Sequence, residues 1–130
     1  MATLETCMTI FMWWGYSWHA TFPNPPLHVT DAIDALLKFH DESLYSHLRR
    51  TGVAAGLIGW TLISTLFTEL LGREDWLKLM DYIFAHFHQS ELMIVTPVAL
   101  LRAVRTSLLT AGTKRDVCMH LLSYLNIKYL

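Results

Sequence analysis

Between Arg50 and Glu69 the chain carries no charge at all. That run, Thr51–Thr68, is 18 residues long, and it limits what this chain can become. As a helix it is long enough to cross the hydrocarbon core of a bilayer. It is equally what the central helix of an all-helical domain looks like, apolar nearly all round and covered by its neighbours. Its content favours the second reading. Gly52, Gly56 and Gly59 interrupt it, and Thr61, Ser64 and Thr65 add hydroxyls. The expectation is a buried helix from about Val53 to Leu71, without transmembrane insertion.

The rest of the chain has to supply the cover. Its 130 residues suit one domain with one core, so residues 1–130 read as a single helical subdomain. Hydrophobic content is 53% and mean hydropathy is +0.33. Both are high for a free-standing soluble domain. Either the chain touches a membrane, or a face normally covered is bare. Met1 falls almost inside the first hydrophobic pattern, which suggests truncation on the N-terminal side. A net charge of −1 gives no electrostatic case for nucleic acid. Two cysteines, Cys7 and Cys118, make no disulfide framework and point to a reduced, intracellular protein. Glu5 is the only charge before Asp31, so Met1–Phe22 lacks the basic start of a secretory signal.

Helical spacing recurs along the chain. Thr3–Thr21 is apolar and aromatic (Ile10, Phe11, Trp13, Trp14, Tyr16, Trp18), with a bend expected at Gly15 and burial on more than one side. The prolines after Phe22 end it. Asn24 is the expected cap of the next helix, with Pro25 and Pro26 in its first turn. Val29, Ile33, Leu36, Leu37 and His40 make its apolar stripe, while Asp31, Asp34 and Lys38 fall on the wet side. Asp41 caps a short helix carrying Leu44, Tyr45 and Leu48, which Gly52 closes. Beyond the central helix, Arg73–Phe87 carries Trp76, Leu77, Met80, Ile83 and Phe84 as one stripe. A longer helix, capped by Ser90, runs to about Ala111 with a kink expected at Pro97. Arg102 and Arg105 share an exposed face of it at i, i+3. Thr113 and Asp116 form a capping box for the last helix, which carries Val117, Met119, Leu121, Leu122 and Leu125. No strand alternation or repeat intervenes. The fold class is all-α: a compact orthogonal bundle of about six to seven helices.

Chemistry is sparse. No phosphate-binding glycine loop, zinc-protease motif or nucleophile elbow occurs. His86 and His88, two apart, would point away from each other on a helix, as would Cys118 and His120. Metal sites need several converging ligands, so neither metal nor cofactor is expected. Asp41–Glu42 reads as helix-capping acid rather than an acid–base pair.

Three short runs resemble a known family. His40-Asp41 with Leu44 and His47-Leu48, then Thr65-Leu66-Phe67, then Leu79-Met80-Asp81 follow the order and spacing found in the C-terminal half of TBC domains, the all-helical domains of Rab GTPase-activating proteins. Val98-Ala99-Leu100-Leu101 and Arg105 fit the family's following helix. Phe22-Pro-Asn-Pro-Pro26, the Leu57–Trp60 region and Arg73–Leu79 are similar to the WD-repeat-containing branch associated with centrosomes and cilia. Met80 stands where the family usually has Trp, and Trp60 lies seven residues before Phe67 rather than five.

The resemblance implies a Rab-type small GTPase as partner, with cytoplasmic, centrosomal or ciliary placement. It implies no catalysis by this piece. The family's arginine and glutamine fingers lie in Ile-x-x-Asp-x-x-Arg and Tyr-x-Gln motifs upstream of the His-Asp pair, and neither motif occurs here. Arg49 and Arg50 follow that pair and are not their equivalents. The matching residues are expected to be structural. Trp60, Phe67 and Trp76 are expected in the core, and His40 and Asp41 at a helix junction. The missing N-terminal half would cover the bare face, or that face would pair two copies. A non-catalytic interaction scaffold and a small membrane protein are the alternatives.

Overall fold

The computed structural model describes the backbone of residues 2–13, 15 and 17–127, and their side chains except Phe11, His19, Leu122 and residues 124–127. Eight α-helices occur among them: α1 (Ala2–Trp13), α2 (Leu27–His40), α3 (Glu42–Arg50), α4 (Ala55–Ser64), α5 (Arg73–Ala85), α6 (Leu92–Ala103), α7 (Arg105–Thr110) and α8 (Lys114–Ile127). A 3₁₀ turn, Trp18–Thr21, lies between α1 and α2. The class is all-α, with one helix more than the six to seven expected. The long run from Ser90 divides at Val104 (φ −101°, ψ 16°), while α6 continues through Pro97.

α2 is the hub, packed against α3, α4 and α6. α4 also packs on α6, α3 on α7, and α7 on α8. The closest crossing is fixed by glycine. A Cβ on Gly56 would lie 2.5 Å from the Thr30 carbonyl oxygen, and one on Gly59 would lie 2.6 Å from Ile33 Cδ1. Two bare positions one turn apart let α4 sit down on α2. Asp34, expected on the wet side, is half-buried and accepts the Gly56 N–H at 2.9 Å. It caps α4 from the neighbouring helix, since Ala54 has no side chain that could. Ile33, Leu37, Leu44, Leu48, Ile63, Phe67, Leu101, Leu108 and Val117 make the centre of the core.

The central helix is shorter than its apolar run. It ends at Ser64, not Leu71. The Thr65 hydroxyl donates to the Thr61 and Leu62 carbonyls, and the Ser64 hydroxyl also donates to Thr61. Such side chains compete for the ladder's acceptors. A Schellman motif then closes the helix: Phe67 N–H bonds the Leu62 carbonyl at 2.8 Å and Leu66 N–H bonds that of Ile63 at 2.9 Å. α3 ends the same way, through Val53 to Leu48 and Gly52 to Arg49. There Gly52 takes the left-handed position at φ +80°, but in α4 Leu66 (φ 50°) and Phe67 (φ 61°) take it. Left-handed backbone costs a non-glycine residue about 1–2 kcal/mol. Complete burial of the Phe67 ring in the core offsets it. No helix among the described residues is long and apolar enough to cross a membrane.

Other expectations shift in detail. α2 starts at Leu27 with Pro26 as its cap residue, not Asn24. A residue followed by proline is pushed out of helical backbone, so Pro25 cannot take the first helical position that an Asn24 cap would require. α1 stops at Trp13 and is mostly exposed, with Leu4, Met8, Met12 and Trp13 facing out and, among its described side chains, Ile10 packed on the core. Trp14 and Tyr16 lie outside the described residues. In α5 Met80 and Ile83 are buried, while Leu77 and Phe84 are exposed. Met119 is exposed on α8, and His40 is exposed at the end of α2. Leu122 and Leu125 have side chains outside the described set. The Thr113–Asp116 box forms reciprocally, at 3.1 and 3.2 Å.

Gly56→Ala is expected to lower stability by about 1–3 kcal/mol, because the new methyl meets backbone that cannot move aside cheaply. Gly112→Ala, whose Cβ would find its nearest neighbour at 3.9 Å, serves as control. Urea denaturation checks both. An unshifted midpoint for Gly56→Ala would show that the α2–α4 spacing is set elsewhere.

Candidate functional site

Two polar contacts, each spanning 64 residues of sequence, tie α3 to the segment around α7. At its N-terminus Asp41 accepts the Leu44 N–H on Oδ1 at 3.1 Å, capping α3. Its Oδ2 accepts Arg105 Nε–H at 2.6 Å. One turn from the other end, His47 donates from Nε2 to the Ala111 carbonyl at 2.8 Å. Arg50 donates to His47 Nδ1 at 3.2 Å. These partners assign a neutral ring protonated on Nε2. Leu44, between the two contacts along α3, and Leu48, next to the second, are buried. The result is a clasp, polar at both ends and apolar in the middle.

Burial alone would push the Asp41 carboxyl up. The Arg105 hydrogen bond, the Leu44 N–H and the charges of Arg105 and Arg102 outweigh it, and hold the group below its ordinary value. Arg105 was expected on an exposed face. It is half-buried, because the step at Val104 turns α7 toward α3.

The second constellation is built on the α4 terminus. Trp76 of α5 donates its indole N–H to the Leu66 carbonyl at 2.8 Å. That holds the left-handed turn from outside while Phe67 fills it from within. Trp76 and Trp60 are half-buried against the core rather than inside it. Trp60 meets Trp18 edge to face, 5.1 Å between ring centres at 86°. The two rings border an apolar groove of about 680 Å³, lined also by Ile10, Phe22, Ile63 and Leu66. Asp81 is exposed on α5 and belongs to neither constellation, and the exposed His40 ring rests on Phe39. No group of three or more metal-ligating side chains gathers among the described residues.

A sequence model of the Rab-GTPase-TBC domain matches residues 6–109. The chain belongs to that family. It is 38% identical over 112 residues to human TBC1 domain family member 31, and 34% identical over 116 residues to its counterpart in Oryzias latipes; these cover 86% and 89% of this chain. Human TBC1 domain family member 5 is 32% identical over 91 residues, 70% of this chain. The chain spans about a tenth of the length of the curated relatives it matches. No solved structure matches it.

Within this TBC chain, most of the motif residues converge on these two constellations. His40, Asp41, Leu44, His47 and Leu48 lie on or beside the clasp, and Thr65, Leu66, Phe67 and Trp76 build the turn. Sequence reasoning missed two partners. Arg105 fits the family's following helix and stands one turn from Arg102, but nothing local marks a carboxylate 64 residues away as its mate. Asp34 was read as solvated because its position on α2 is polar, and its acceptor role needs the α4 crossing.

Asp41→Asn keeps a capping oxygen but removes the charge. It is expected to cost up to about 1 kcal/mol at neutral pH, since Arg105 is half exposed and screened. Asp41 has a lowered folded value, so its contribution is present above the ordinary carboxylate range and is lost as pH falls through that lowered value. Denaturation midpoints of wild type and variant should therefore converge on acidification. A gap that is unchanged at low pH would refute the charge as its origin. Trp60→Ala should cost less than the ~3–5 kcal/mol of a fully buried aromatic, read as the shift in melting.

Proposed function

We propose that this chain is the C-terminal helical part of a TBC domain that recognises Rab-type GTPases without accelerating their hydrolysis. The observation that carries the reading is the family match over residues 6–109, in a chain that contains neither finger motif. A positioned arginine finger is worth 10³–10⁵ in GTP hydrolysis, and no residue here occupies its motif. The motif residues that are present act on the fold. They cap α3, close α4, and dock α7 and α5. On this reading the chain presents a surface to a GTPase and leaves the chemistry to other residues. Action inside the cell, in vesicle or ciliary trafficking, belongs to the same proposal, as does cover of the bare face by the N-terminal half of the domain.

A second reading is a helical interaction scaffold at a centrosomal or ciliary structure, with no GTPase partner. The exposed row Leu4, Met8 and Met12 on α1, with Trp13 beside it, favours this reading. It is an apolar face that a protein partner or a second copy would cover.

Purified Rab proteins, each loaded with a GTP analogue or GDP, separate the two. Binding selective for the GTP-analogue form, with hydrolysis of GTP left at its intrinsic rate, is the expected result. Accelerated hydrolysis would overturn the non-catalytic assignment. Absence of binding in either nucleotide state would overturn Rab recognition by this chain.

A further inference from the structure

We propose that α1 pairs with α1 of a second copy of this chain, antiparallel about a two-fold axis at Met8, so that Leu4 of each copy packs on Met12 of the other. This goes beyond both readings above, because a contact between copies needs neither a GTPase nor a scaffold partner.

The exposure of α1 carries the inference. It has 12 residues, a length at which an isolated helix is marginal in water. Yet every residue from Ala2 to Thr9 is exposed, and α1 shares no broad contact with another helix. Among its described side chains, Ile10 packs on the core and the Trp13 ring meets Phe87 edge to face, 5.4 Å between ring centres. Ile10 stands about 200° round the helix from Met8. The row Leu4, Met8 and Met12, each more than half exposed, therefore points away from the body.

The amount of bare surface suits a dimer. A folded monomer of 15.0 kDa exposes about 7,000 Å². This chain exposes 8510 Å². The excess, about 1,500 Å², is more than the roughly 800 Å² that each partner gives to an interface of standard size.

The chemistry of the row selects the occupant. Leu4 and Met12 lie four residues either side of Met8, so a two-fold axis there sets unlike ends together and the row covers itself, as isologous pairing requires. Antiparallel helices also set the positive end of each dipole beside the negative end of the other. Glu5 is the sole charge in α1. The hydroxyls of Thr6 and Thr9 donate to the Ala2 and Glu5 carbonyls, each at 2.8 Å, so they need no water when covered. A membrane surface fits worse, because α1 has no lysine or arginine for lipid headgroups.

Sedimentation equilibrium of the 130-residue chain tests the contact with no GTPase present. A reversible monomer–dimer equilibrium is expected. Met8→Leu should pair as wild type does, and Met8→Glu about a hundredfold more weakly, since its two carboxylates would meet at the axis. Met8 is exposed, so the circular dichroism of dilute Met8→Glu should match that of dilute wild type. Disulfide trapping reads the geometry. In a Cys7→Ser, Cys118→Ser background, Met8→Cys should oxidise to a covalent dimer. Leu4→Cys alone should not, because its two copies would lie about 12 Å apart along the helices, whereas Leu4→Cys mixed with Met12→Cys should. A chain that stays at 15.0 kDa at every concentration overturns the proposal. So does undiminished pairing of Met8→Glu, or trapping of Leu4→Cys as fast as Met8→Cys. A monomer that sediments with phosphatidylcholine vesicles, and ceases to in Met8→Glu, overturns it and gives the row to lipid. Rab binding is decided separately: a monomeric chain leaves Rab recognition standing, and a dimer that binds no Rab leaves this contact standing.

Discussion

The fold depends on how closely α4 lies against α2. Gly56 and Gly59 leave the face of α4 without side chains where Thr30 and Ile33 press on it. A helix pair at ordinary spacing would hold α4 away from Asp34, and the α4 N-terminus would lose the carboxylate that caps it. Because α2 also carries α3 and α6, any change in that spacing moves the base on which both rest. The close crossing thus fixes three helices at once, and the clasp between α3 and α7 closes on what it fixes.

The uncharged run Thr51–Thr68 shows how much of this was legible. Its apolar content and its glycines pointed to a helix covered nearly all round, whereas α4 is buried on one face and leaves Leu57, Thr61 and Ser64 exposed on the other. Its length did not give the helix length. Hydropathy reports where a segment can be buried, whereas helix ends are set by hydrogen-bond competition, which Thr61, Ser64 and Thr65 supply within one turn. The ending at Leu66 was hidden for a further reason. Glycine at the left-handed position announces a Schellman close, as Gly52 does after α3. A leucine there announces nothing, and only the burial of Phe67 and the Trp76 indole bond make it tolerable. The local devices were the readable ones: Asp41 as a cap and the Thr113–Asp116 box lie within three residues of what they bind.

Long-range polar pairs were not readable, and those are what distinguish the clasp. Asp41 sits at a helix start, where any acid is favourable, so its local role fully accounts for its presence. Only the packing of α7 on α3 reveals a second role in fixing Arg105. The same holds for His47, whose position on a half-apolar helix face suggests nothing about the Ala111 carbonyl. Both pairs lie at the edge of the core rather than within it. There the ions keep some solvent, and desolvation is partial. A fully buried ion pair would bring little net stability, but one at the rim adds direction to a contact whose energy comes from Leu44, Leu48 and Leu108.

That division of labour bears on how the family motif is to be understood. A short motif shared by a family of GTPase regulators invites a catalytic interpretation, yet here its residues cap, close and clasp. Asp41 is the exception in kind. One oxygen serves the fold by holding the Leu44 N–H, and the other orients a cation whose far end reaches water. A capping residue needs only the first of these, and a neutral asparagine would supply it. The second needs a charge. The carboxylate at this position is therefore best understood through Arg105, and a cap read from the local sequence alone would miss the oxygen that holds it.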